Sequence, residues 1–175
     1  MAKKKGGAKK SSSNVIFTVI GMVVAALILV TLALNIFHDV SYSITGYLED
    51  THKYYNGIAF IGSMFGEGAD TSFVNIVCVI SYLVTLLISL AYIVLAALKL
   101  AGVKLNGKMV KFVSYAAVIT ALIFIIFAFI RAGQYQDNLH PVLGDKRYGK
   151  YVVSIGGYLV MVFALGNAIV SSLEK

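Results

Sequence analysis

The chain has 175 residues, 59% of them apolar and 13% charged, with a mean hydropathy of +0.84 and a formal net charge of +7. A soluble domain averages about 45–50% apolar and about 25% charged, so one water-facing core of this size cannot hide the apolar surface present. This excludes a disordered chain, a disulfide scaffold (Cys78 is the one cysteine) and a soluble nucleic-acid binder, and leaves a polytopic membrane protein.

The chain opens with five lysines, Lys3, Lys4, Lys5, Lys9 and Lys10, interleaved with Gly and Ser. Residues 1–13 are expected to be a disordered basic tail, because nothing in them has a core to join. The lysines suit anionic headgroups, each contributing on the order of 1 kcal/mol. Their plainer role is to hold this end in the cytoplasm. Residues 11–37 then carry no charge, and neither do 71–98, 112–130 or 151–173. A bilayer-crossing helix needs about 20 apolar residues, so the gaps predict four spans near 14–37, 73–99, 111–131 and 151–172. The first run is too long for a signal-peptide core, roughly 7–15 residues, and is expected to stay as an anchor.

Residues 38–72 form the larger outer loop. They carry five carboxylates, Asp39, Glu49, Asp50, Glu67 and Asp70, against Lys53. Val40, Tyr42 and Ile44 alternate with Ser41 and Ser43, a half-buried strand pattern. Asn56-Gly57 lies between Tyr54-Tyr55 and Ile58-Ala59-Phe60, which predicts a type I′ hairpin. The expectation is a small extracytoplasmic cap, with or without a true hairpin. The second outer loop, 132–150, holds Pro141 and His140, and its Asp145, Lys146 and Arg147 can pair with the acidic first loop. Between spans two and three, residues 103–108 make a short turn around Asn106-Gly107, so those spans must be antiparallel neighbours.

Four spans place both termini on one side with 10 of the 15 basic residues, which marks that side as cytoplasmic. The fold class is therefore an all-α membrane protein, 14–175 forming a four-helix transmembrane domain. Within each span a stripe at alternating three- and four-residue steps collects small or polar side chains: Thr18, Gly21, Ala25, Ile28, Leu32, Asn35; Asn75, Cys78, Tyr82, Thr85, Ser89, Tyr92; Ser114, Ala117, Ala121, Phe124, Ala128, Arg131; and Ser154, Gly157, Met161, Ala164, Ala168, Ser171. Small-residue contacts and interhelical hydrogen bonds hold helices together in lipid, and a 3.5-residue seam predicts a left-handed bundle.

Catalytic and metal motifs are missing from the chain, and no cofactor is expected. No ionisable residue falls in a span centre, which argues against proton-coupled antiport, voltage sensing or an acid relay. Arg131, at an outer end, is expected to reach the headgroups. Glu49, Asp50, His52 and the pair His38-Asp39 offer metal donors, but their spacing matches no standard ligand motif.

In span order, with strand-like Val40, Tyr42 and Ile44 and the 54–60 segment in a larger first outer loop, the chain resembles the claudin-like four-span proteins. The resemblance is one of topology, without the Trp and cysteine pair of the claudin first loop. It implies a four-helix bundle with a sheeted cap and a contact role. The lack of loop cysteines and of Asn-x-Ser/Thr sequons suits a bacterial plasma membrane.

The functional expectation is a non-enzymatic integral membrane protein that acts by association, as accessory subunit, assembly factor or scaffold. Its partner would be another membrane protein or a second copy, not nucleic acid. The packing candidates are Gly21, Ala25, Asn75, Tyr82, Thr85 and Ser89; the outer-loop candidates are Glu49, Asp50, His52, Tyr54, Tyr55 and Phe60. The rival is a small channel or carrier with an acidic outer mouth and the span-two hydroxyls as its path.

Overall fold

The computed structural model describes residues 5–43, 51–65, 69–136 and 147–174. In chain order the elements are α1 (Lys5–Val30), β1 (Asn35–Ser43), β2 (Thr51–Asn56), α2 (Gly57–Gly62), α3 (Phe73–Leu100), α4 (Gly107–Gln136), β3 (Arg147–Val153) and α5 (Ile155–Leu173). Four of these helices are long and apolar enough to cross a membrane, over Ser13–Val30, Phe73–Leu100, Gly107–Gln134 and Ile155–Leu173. At 1.5 Å per residue, even the 18-residue span of α1 measures about 27 Å, close to the hydrocarbon thickness of about 30 Å. The chain is thus a four-span protein by length and composition.

Each long helix packs on the two next to it in a closed ring, α1 on α3, α3 on α4, α4 on α5 and α5 on α1. The anticipated seams face inward along most of their length; Leu32, Ser154 and Met161 are only half-buried and Asn35 is exposed. All six stripe positions of α3 and all six of α4 are buried, as are Thr18, Gly21, Ala25 and Ile28 of α1 and Gly157, Ala164, Ala168 and Ser171 of α5. Leu87, Ile119, Phe129 and Ile169 lie on outward faces and are exposed. The small and polar side chains of the spans thus collect inside, beside buried rings such as Tyr82, Tyr92 and Phe124, while the outward faces are almost wholly large and apolar, as lipid would require.

Over the bundle end where α1 finishes lies a three-stranded antiparallel sheet in the order β2-β1-β3. The central strand β1 pairs with β2 (His38 opposite Tyr54, Val40 opposite His52) and with β3 (Phe37 opposite Val153, Asp39 opposite Tyr151).

Several sequence expectations need correction. The first helix stops at Val30, seven residues short of the expected Phe37, and tightens through i→i−3 bonds from Thr31, Leu32, Ala33 and Leu34. The carbonyls of Leu32 and Leu34 are taken instead by the amides of Ile58 and Gly57, at 3.2 Å each. Those amides belong to the first turn of α2, which has no intrahelical acceptor for them. Asn56-Gly57 is therefore not a hairpin turn. Asn56 caps α2, its Oδ1 accepting from the Ala59 amide at 2.8 Å, and Ile58 to Phe60 are helical.

Gly57 is required by close approach, since a Cβ would lie 2.7 Å from Leu32 Cα and also against the Tyr82 hydroxyl. Asn106-Gly107 repeats the device at α4, with Asn106 Oδ1 accepting from the Lys108 amide at 3.0 Å. The glycine the turn needs for its conformation is Gly102, at φ +87°, which ends α3 in a Schellman motif with Gly102 N bonded to Lys99 O and Val103 N to Leu98 O.

Span four also starts later than expected. Residues 147–153 form β3, and α5 begins at Ile155, because Tyr151 and Val153 turn one face of a strand to the core. Span three begins at Gly107, four residues earlier than expected. The helix α1 starts at Lys5, inside the segment expected to be a disordered tail. Extending an existing helix avoids the nucleation cost that a free segment would face.

Candidate functional site

The sheet is fixed to the bundle by a buried arginine. Arg131, on the last turns of α4, is 6% exposed. Its guanidinium carbon lies 5.2 Å from the ring centroids of Phe37 (β1) and Phe60 (α2) and 5.4 Å from that of Tyr151 (β3). The rings hold one another, with Phe37 stacked on Tyr151 at 4.9 Å and tilted on Phe60 at 5.0 Å. Phe60 continues inward to Tyr82 and Phe124, which are 5.2 Å apart. The expectation that Arg131 reaches the headgroups is thus overturned. Three rings from three different elements close over the cation, and ring faces attract a desolvated guanidinium by about 2 kcal/mol.

The counter-charge is Asp70, whose Oδ2 lies 3.6 Å from the Arg131 guanidinium. The Asp70 segment is held in turn by Asn75, whose Nδ2 donates to the Asp70 carbonyl at 2.6 Å. Asp70 Oδ1 accepts from the Ser72 amide, and Ser72 caps α3 through the Asn75 amide. Asn75 therefore positions the loop that carries the carboxylate. Its small size in a span stripe was visible in sequence; its service to Asp70 was not.

The remaining α3 candidates have local partners. Thr85 and Ser89 each donate to a carbonyl four residues back, at 2.8 and 2.7 Å, and Ser81, which was not a candidate, does the same at 2.7 Å. Thr85 also meets Thr120 of α4 at 2.8 Å, and Tyr82 meets Thr31 at 3.0 Å. These hydroxyls bond their own backbone, α4, or the turn that follows α1. Gly21 and Ala25 sit under Tyr92 at the opposite end of the bundle, where a Cβ on Gly21 would strike the Tyr92 hydroxyl.

The outer-loop candidates divide by whether they face the bundle or away from it. Tyr55 and Phe60 turn inward, Tyr55 lying 6.1 Å from Tyr151. His52 and Tyr54 turn outward and meet His38, whose ring stacks on Tyr54 at 4.2 Å and 11°. Glu49 and Asp50, the side chains of Asp145, Lys146 and Arg147, and His140 lie outside the described residues. Two buried polar groups lie outside the residue stripes. Glu174, 5% exposed, pairs with Lys99 at the end away from the sheet, and Asn167 is fully buried with neither amide atom hydrogen-bonded. A lone Asn or Glu at a helix end gives no sequence signal of this kind. Among the described residues no three metal-ligating side chains converge. Comparison with protein-family models, with curated proteins and with solved structures finds no match for the chain.

Proposed function

We propose that this chain is a non-enzymatic membrane protein that works by association, presenting its sheeted cap to another membrane protein or to a second copy. The observation that carries this reading is the Arg131 cage. It devotes a buried charge and three aromatic rings to holding an extramembrane sheet in one pose. Loops that merely join spans have no use for such an anchor, whereas a presented surface gains affinity from being preorganised. The edge of β2, with no partner strand among the described residues, and the outward His38, His52 and Tyr54 supply that surface.

The lysine asymmetry supports a plasma membrane setting with both termini cytoplasmic and the Lys-rich start against anionic lipid. The 3.5-residue seams support a left-handed bundle. The shared sheet of both outer segments supports a claudin-like contact role as a narrower version of the same proposal.

Gentle native purification with mass spectrometry tests the reading. Stoichiometric recovery of a second membrane protein, or a stable homo-oligomer, is expected; a protein that stays monomeric and alone counts against it. The channel alternative is tested by flux into liposomes. Flux abolished by Thr85→Leu or Ser89→Leu would displace association, but the inward bonding of these hydroxyls favours no flux.

A further inference from the structure

On the outward face of the sheet, His38 of β1 and His52 of β2 bring two ring nitrogens together. His38 Nε2 and His52 Nδ1 are 3.2 Å apart, with the rings 5.4 Å centre to centre and inclined by 25°. The two residues are diagonal neighbours across paired strands, since His38 is opposite Tyr54 and His52 opposite Val40. Tyr54 stacks on the far ring and holds its plane. We propose that this pair is a two-imidazole binding site for a divalent transition-metal ion of the Zn2+ or Cu2+ class.

The spacing is what such an ion requires. Two imidazole nitrogens bound at about 2.05 Å are about 2.9 Å apart at a right angle and about 3.3 Å apart at the tetrahedral angle. The observed separation falls between these. The 5.4 Å between ring centres shows the nitrogens pointing nearly at each other, so each ring must turn modestly about its side-chain bonds to aim its lone pair at one ion, while the strands stay in place. Coordination needs a lone pair from each nitrogen. The ring that donates the present hydrogen bond passes that proton to its other nitrogen, so both imidazoles stay neutral and no further group is oxidised or reduced. His52 is exposed, which leaves an entry path and open coordination positions for water or for a ligand from a partner surface. A bound ion would clamp β1 to β2, the edge strand of the described sheet. The site is independent of the association reading.

Full-length, untagged protein in detergent, titrated with Cu2+ and followed by electron paramagnetic resonance, is the test. One Cu2+ per chain with two nitrogen donors is expected, weakened on the order of tenfold or more by His38→Ala and by His52→Ala, and unchanged by His140→Ala. Undiminished binding in the His38→Ala/His52→Ala double variant overturns the proposal, and so does an equal loss in His140→Ala. Imidazole 15N resonances of the unaltered protein, recorded with and without Zn2+, give a reading independent of any variant's folding. Two histidines must shift together; a shift in neither, or in all three alike, counts against the pair.

Discussion

The two ends of the bundle are built by different means. At the sheet end the core holds Phe37, Phe60, Tyr82, Phe124 and Tyr151 around a buried guanidinium, and five elements meet there. At the other end a small cluster of Ala25, Tyr92, Ala96 and Val110 does the packing, and the charged contact is Lys99 with Glu174. One end encloses a cation to fix a sheet; the other lets its helices approach through small residues and keeps its lysine partly in water. The larger enclosed core thus lies at the end that carries the sheet.

The largest expected effect follows from that contrast. Arg131→Ala empties the cage and leaves Asp70 without its cation, and breaking a buried pair by removing one partner costs about 3–5 kcal/mol. Asp70 is partly exposed, so the loss should fall at the lower end of that range. The thermal midpoint in detergent should drop steeply, and β1 and β3 amides should lose hydrogen-exchange protection before the spans do. A variant with unaltered protection in the strands would remove the cage from its place as anchor.

Next come two glycines, one from each end. Gly57→Ala drives a methyl against backbone at Leu32 Cα, which cannot rotate away, and should cost about 1–3 kcal/mol. Gly21→Ala meets the Tyr92 ring alone, and a ring can swing, so its cost should fall below that of Gly57→Ala. Equal losses by thermal unfolding would erase the difference in packing between the ends.

At the charged contact, the two partners differ in exposure, 30% for the Lys99 side chain and 5% for Glu174. Lys99→Ala strands a buried carboxylate, whereas Glu174→Ala leaves a lysine that water can reach. The first should be the more destabilising, with each effect held to about 1 kcal/mol by the hydration available to Lys99. A double-mutant cycle with the order reversed would contradict the burial of Glu174. Smallest of all is Thr85→Val, which removes the bond to Thr120, a contact of the kind worth about 0.6 kcal/mol in membrane proteins.

The inward faces of α3 and α4 were readable from spacing alone, because the small and polar residues of each span recur on one face and that face meets its neighbours, together with the rings of Tyr82, Tyr92 and Phe124. The Asn-Gly pairs were not. Asn56 and Asn106 each cap a helix, and a tight turn would use the same two residues, so the local pattern cannot choose between them. Asn75 was found as a packing position, while its hold on Asp70 depends on how the chain returns from α2 to α3.

Sequence alone determined the number of spans and which side of each faces its neighbours, since both are properties of charge-free length and of residue size read along one helix. Tertiary structure decided where α1 ends, what β3 pairs with and where Arg131 lies. Ile36 and Phe37 are as apolar as the helix before them, yet they lie in a strand because β2 and β3 pair along this segment. Arg131 would be a headgroup arginine on its own helix. It is a buried cation because Phe37, Phe60 and Tyr151, remote from it or from one another in sequence, converge where the headgroups would have been.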